Sequence, residues 1–344
     1  RLLVPSKGVL EDSLQDRAFV HLVGDDFAIE TGLEGLTSQQ GLAMMAFRHQ
    51  QLEEINAQLK VHDRPQLTDE VLSPCVYHPS FVLPIKDPSI EGLTKRIEKL
   101  QQAMLLKEAM TRGAQYFHKA FVEAISALEI DDYLYFPISW SKHAVILEYR
   151  REAEDTFAVR LYNSGDAIDN YHYSLSHGTT HKVFPFVEKT KVSQERIMSP
   201  LGSKILSEIT LVSRSEYVRP DYSTPKDMYE RYLGLFLQGE AQTRPLSFGD
   251  FVDPQQGGTC AYFSHGYRDQ VHLSKHEWVF FETLMAIKSF SWYLSLPQVQ
   301  QSIQRDYLST AAVLVEKAAQ TLSRRFALAY KKGELDLALF RVWT

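Results

Sequence analysis

The sequence is poor in cysteine, with only Cys75 and Cys260 among 344 residues. Two thiols make no disulfide framework, and a reducing, cytosolic compartment is the expected home of such a chain. Long apolar runs are also missing, so no segment reads as a membrane span. Positive charge is not in surplus either. The 37 Lys and Arg against 43 Asp and Glu leave a formal charge of −6, which gives no electrostatic reason to expect nucleic acid as a partner. Neither G-x-G-x-x-G nor G-x-x-x-x-G-K-[ST] occurs, which removes the phosphate-cradle readings. H-E-x-x-H, paired-Cys spacings and the G-x-S-x-G elbow are likewise absent. No carboxylate pair is singled out for glycoside hydrolysis. The first residue is Arg1 and not Met, which reads as a trimmed N-terminus and leaves a lost targeting segment open.

What is present is ordinary globular composition. With 44% hydrophobic and 12% aromatic residues, the chain can bury one large core or two modest ones, and it is too aromatic for disorder. Residues 37–60 read as a helix on Leu42, Met45, Phe47, Leu52 and Ile55. A connector interrupted by Pro65, Pro74, Pro79, Pro84 and Pro88 follows. From Ile90 to Leu128 the pattern is helical again. One stripe is Leu93, Ile97, Leu100, Met104 and Leu105, and another is Phe117, Phe121, Ile125 and Leu128. Residues 1–128 are therefore expected to be a mostly helical N-terminal region, for substrate recognition or as a scaffold.

The period then changes. The runs 144–149 and 157–162 are β-rich and flank a charged turn, which predicts an antiparallel strand pair. A third strand is expected within 182–192. Helices are expected over 226–237, from Cys260 onward, and over 277–294 and 299–331, the last with cations in its final turn. Helices, then a small sheet, then helices predict an α+β fold with an antiparallel sheet flanked by helices.

One constellation could carry chemistry. Cysteine catalysis needs a thiolate at an exposed helix N-terminus, an imidazole within reach, a group to orient it and an oxyanion donor. Cys260 follows Gln255-Gln256-Gly257-Gly258-Thr259, where glycines let a substrate backbone approach and a helix start favours the thiolate. Its own amide supplies one oxyanion donor, and Gln255 or Gln256 the second. His143 opens the first β-rich run, three residues after Trp140, which is expected to flank the cleft. The second run ends in Asn163-Ser164-Gly165-Asp166, and an antiparallel return carries this turn back toward His143. Asn163 or Asp166 would orient the imidazole. Cys75, in apolar surroundings, reads as an inert buried thiol. The clusters His172, His177, His181 and His265, His272, His276 match no metal-ligand spacing and read as polar surface, so no metal or other cofactor is expected.

The order His143, Asn163, Gln255 or Gln256, Cys260 resembles that of the clan of cysteine proteases holding the SUMO-specific proteases, the adenoviral protease and the YopJ-like bacterial effectors. The resemblance covers about residues 137–275. It departs from the clan where Gly258-Thr259-Cys260-Ala261 stands in place of Asp-Cys-Gly, and where Ala144 stands in place of Trp after the His. The resemblance implies a papain-like cysteine protease core over residues 129–344, with helices at its C-terminal end. It implies cleavage of a peptide or isopeptide bond in a protein substrate, as in a deubiquitinase or a protease for a ubiquitin-like modifier. Gly257 and Gly258 would line the channel for a Gly-Gly substrate tail. It also implies a bacterial effector secreted into a host cell. An acyltransferase or transglutaminase-type enzyme would use the same residues. A non-catalytic interaction module would instead use the apolar stripe Phe280, Leu284, Ile287, Phe290 and Leu294.

Overall fold

The computed structural model describes Phe19 and residues 90–140, 143–177, 180–212, 224–241, 250–254, 260, 268–269, 271–272, 286, 289–305 and 309–331. The expected helix over 37–60, the proline-rich connector, Cys75, Gln255, Gln256, Gly257 and Gly258 lie outside the described residues. The chain divides into two compact units. One comprises residues 35–45 and 98–269, the other residues 1–34, 46–97 and 270–344.

Helices α1 (Ile90–Arg112) and α2 (Ala114–Ser126) meet at Gly113, whose φ of 127° is one that L side chains rarely adopt. The buried side of α1 carries Leu100, Ala103, Leu106 and Met110, while Leu105 is 65% exposed. The stripe is thus rotated from the one expected, because Ala103 and Leu106 pack inward. In α2 the four-residue spacing holds, and Phe117, Phe121 and Ile125 are fully buried.

Strands β1 (Tyr133–Trp140), β2 (His143–Arg151) and β3 (Thr156–Tyr162) form a meander. After the short helix α3 (Ile168–Tyr171) come β4 (Ser174–His177), β5 (Thr180–Val183) and β6 (Phe186–Ser193). Helices α4 (Gln194–Ile197) and α5 (Pro200–Val212), a π-helix (Asp227–Phe236) and β7 (Glu240–Ala241) complete this unit. Among the described residues β1-β2-β3-β6-β7 make one five-stranded sheet, antiparallel throughout, and β4-β5 make a separate pair. Pro137 sits within β1, where an edge strand tolerates the missing N–H.

Pairing of Trp140 with His143 and of Phe136 with Leu147 assigns side chains to faces. Trp140, His143, Phe136 and Tyr149 share the face that the helices cover. Phe121 lies edge-on to Phe136 and Tyr149, with ring centroids 5.8 and 5.1 Å away. The Tyr149 and Tyr232 hydroxyls meet, which seats the π-helix on the same face. His118 Nδ1 and Ser203 Oγ, 2.9 Å apart, join α2 to α5. Each such buried aromatic contributes roughly 1.5–3 kcal/mol. The opposite face carries a buried ion network of Glu148, Arg160, Glu188 and Arg268.

In the other unit, α6 (Pro297–Arg305) and α7 (Thr310–Lys331) pack with Phe19, Tyr293, Leu314 and Ala318 into a core. Phe19 stacks on Tyr293 with centroids 4.1 Å apart. Among the described residues no helix is long and apolar enough to cross a membrane. The molecule is mixed helix and strand, with a small antiparallel sheet and helices.

Candidate active site

The register of β2 and β3 builds the site. Ile146 faces Tyr162, so one step further Asn163 comes level with Val145, on the face that His143 shares. The strand does not continue there. Asn163 Oδ1 accepts the Gly165 N–H at 2.9 Å, a local side-chain turn that peels the chain away from the sheet. The turn ends at Ala167, held at a φ of 63°.

His143 is 7% exposed and Asn163 fully buried. His143 Nε2 lies 2.7 Å from Asn163 Oδ1. Asn163 Nδ2 donates to the Asp166 carbonyl at 2.7 Å and to Tyr229 Oη at 3.0 Å. The amide cannot be reversed, because Gly165 N–H can only donate and the Asp166 carbonyl can only accept. Asn163 therefore presents an oxygen to His143, and Nε2 must carry the proton. In the neutral ring the lone pair is then on Nδ1.

Cys260 is 8% exposed, and its Sγ accepts the backbone N–H of Ala144 at 3.3 Å. The sulfur is thus held at the backbone of the residue that follows His143. Val252 and Val183 exchange both backbone hydrogen bonds at 2.9 Å, and Phe251 lies edge-on to Phe184. Beyond Cys260, Arg268 binds Glu148 of β2. The chain is thus fastened on both sides of the cysteine, to β5 of the two-stranded pair before it and to β2 of the five-stranded sheet after it.

Of the residues expected at the site, His143 and Asn163 are hydrogen-bonded, and the Cys260 sulfur meets the backbone of Ala144, next in sequence to His143. Asp166 does not take the imidazole. Its Oδ2 accepts Trp140 Nε1–H at 2.8 Å, and its carbonyl holds Asn163. Trp140, expected at the cleft, is 1% exposed and lies tilted against the imidazole with centroids 5.1 Å apart. Burial lowers the His143 pKa below the ordinary 6.5, opposed by the Asn163 hydrogen bond and the Asp166 charge.

Two further participants were not legible in sequence. Tyr229 belongs to a stretch whose Met228, Tyr229, Tyr232 and Leu233 read simply as an apolar helix face. His172 belongs to a cluster that reads as polar surface, yet it is 6% exposed and contacts Tyr229. The tyrosines on either side of it are the one signal in sequence that favours burial. His181 remains half-exposed, bridging Ser176 Oγ at 3.0 Å and Asp169 Oδ1 at 2.8 Å. Among the described residues no group of three or more His, Cys, Asp and Glu side chains could hold a metal ion. No protein-family model matches this sequence, and no curated protein matches it.

Proposed function

We propose that this chain is a papain-like cysteine hydrolase that cleaves peptide or isopeptide bonds, with Cys260 as nucleophile and His143 as base. The observation that carries the reading is the paired placement at His143. Asn163 holds its Nε2, and the amide of the next residue holds the Cys260 sulfur. That arrangement supplies a nucleophile, a base presenting Nδ1 and an orienting amide. The Ala144 N–H favours negative charge on sulfur as it develops.

In the mechanism, His143 Nδ1 takes the thiol proton and the thiolate attacks the carbonyl carbon. The Cys260 amide, with Gln255 or Gln256, holds the oxyanion. The imidazolium then protonates the leaving amine, and water attacks the thioester to release the acid. Asn163 keeps the imidazole in plane while its charge changes. The substrate class is a protein modified by ubiquitin or a ubiquitin-like modifier, processed in a reducing cytosol, as the resemblance to the effector proteases implies. Transfer of the acyl group to an amine would use the same first half-reaction.

Ubiquitin and ubiquitin-like proteins bearing a C-terminal electrophile test this directly. One of them is expected to label Cys260 in the native chain and neither Cys260→Ala nor His143→Ala. Labelling that survives Cys260→Ala removes the reading. Product analysis with an added amine or acyl-CoA separates hydrolysis from transfer.

A further inference from the structure

The hydrogen bonds behind His143 do not stop at Asn163. Tyr229 Oη receives Asn163 Nδ2 at 3.0 Å and lies 2.7 Å from His172 Nε2. His172 Nδ1 lies 2.7 Å from the Phe184 carbonyl. A carbonyl has no proton to give, so His172 Nδ1–H is the donor there. His172 is buried and neutral, its pKa lowered by burial to about 4 against a small opposing effect of the Phe184 bond. Its Nε2 therefore carries a lone pair and must accept the Tyr229 hydroxyl proton. Burial raises the Tyr229 pKa, so that hydroxyl stays protonated. Every proton in the chain is then assigned. His143 Nε2–H points to Asn163, Asn163 Nδ2–H to Tyr229, Tyr229 O–H to His172, and His172 Nδ1–H to Phe184. The donors all run in one direction, the arrangement in which successive hydrogen bonds polarise and strengthen one another.

Packing holds the relay still. The Tyr171 ring stacks on Tyr229 with centroids 4.1 Å apart and planes 1° from parallel, and Trp140 meets Tyr229 near edge-on at 6.0 Å. Tyr229 and His172 touch neither Cys260 nor the His143 ring in any of these contacts. They act on Asn163.

We infer that Tyr229 and His172 are positioning residues for the proposed base, fixing Asn163 so that His143 keeps its proton on Nε2 and its lone pair on Nδ1, the nitrogen that serves Cys260 in the proposed mechanism. This deepens the cysteine-hydrolase reading and rests on it. Without the Tyr229 hydroxyl one N–H of the buried Asn163 amide is left unpaired, and Asn163 can relieve it only by turning away from His143. Misplacing a catalytic group by an ångström costs up to about a hundredfold in rate.

The test needs no knowledge of the substrate. Iodoacetamide alkylation of Cys260 at neutral pH is followed by peptide mass spectrometry in the full-length chain. Tyr229→Phe and His172→Phe are each expected to slow it about tenfold. His172→Gln, whose amide offers a donor and an acceptor in place of the two ring nitrogens, is expected to recover most of what His172→Phe loses. A purely structural role would not give that rescue. Should Tyr229→Phe fail to fold, the two His172 variants carry the comparison. In a Cys260→Ala background, 15N shifts of the His143 ring are expected to report the Nε2–H tautomer, and a mixture of tautomers once Tyr229→Phe is added. Alkylation equally fast in His143→Ala and the native chain sinks the hydrolase reading. Slow alkylation in His143→Ala, with Tyr229→Phe and His172→Phe within twofold of native, overturns the positioning role alone.

Discussion

Arg268 Nε donates to Glu148 Oε2 over 2.8 Å, with both side chains sealed from solvent. The pair ties the chain eight residues after Cys260 to the strand five residues after His143. The guanidinium lies over the rings of Tyr133 and Tyr135, at 4.6 and 3.7 Å from their centroids. Burial alone would lower its pKa, but the charge of Glu148, with Tyr135, Tyr133 and Asp269 adding to it, outweighs burial and keeps it cationic. Removing one partner takes the nearest counter-charge from a buried ion, leaving Glu148 to Arg160 at 3.5 Å or Arg268 to Asp269 at 3.3 Å. Arg268→Met or Glu148→Gln is expected to cost about 3–5 kcal/mol in urea unfolding. The double change Glu148→Leu with Arg268→Met is expected to recover much of that, since well-packed apolar residues often replace a buried pair without loss. A double variant as unstable as the sum of the singles would contradict this account.

Asn163 offers a test with a definite sign. Asn163→Ala removes the oxygen that orients His143, and kcat is expected to fall about a hundredfold. Asn163→Asp keeps an acceptor 2.7 Å from Nε2 but adds a negative charge. That charge favours the imidazolium, so the His143 pKa rises from its lowered position. A base must be neutral to act, so activity against pH should lose its acid side sooner. The acid limb of kcat/KM is expected below pH 6.5 in the native chain and at higher pH in Asn163→Asp. A limb that stays put would argue that His143 does not titrate in the rate-limiting step.

How far the sequence foretells these features depends on their range. The strands around 144–149 and 157–162 were legible because β-rich runs separated by a charged turn are a local signal, and Asn163 followed from hairpin return alone. Strand β1 was not. Its continuous aromatic run interrupted by Pro137 shows no two-residue alternation, because both of its faces are largely covered. Leu105 lies outside although leucine is the more hydrophobic residue, because close packing places Ala103 inside. Tyr229 could not be found, since its role depends on a helix 66 residues beyond Asn163 folding onto the same sheet face. The burial of His172 escapes the sequence for the same reason: its partners are the Phe184 carbonyl and Tyr229.

Ser176, His181 and Asp169 contain the residue types of a serine triad, within hydrogen-bond distance of one another. They are expected to do nothing catalytic. Asp169 is 68% and His181 38% exposed, so water screens the pair and competes for each hydrogen bond. Ser176→Ala should leave Cys260 alkylation and any hydrolysis within twofold of native, and a fluorophosphonate should not label Ser176. Labelling there would reveal a second reactive centre.

His172 also couples the site to acid stability. Its folded pKa of about 4 lies below the ordinary 6.5, so between these values the unfolded chain binds the proton more readily. Stability from this group is therefore complete above pH 6.5, declines as pH falls through the window, and is lost by about pH 4, a total of roughly 3 kcal/mol. His172→Gln has no such group to protonate. At pH 7 it should be less stable than the native chain, because the ring packing is imperfectly replaced. The gap in urea unfolding free energy should then narrow by about the same 3 kcal/mol between pH 7 and pH 4. A gap independent of pH would mean that the folded chain takes up a proton at His172 as readily as the unfolded one does. Below pH 6.5 the proton order from His143 to Phe184 would then have to be redrawn, because a charged His172 would donate to Tyr229 and not accept from it.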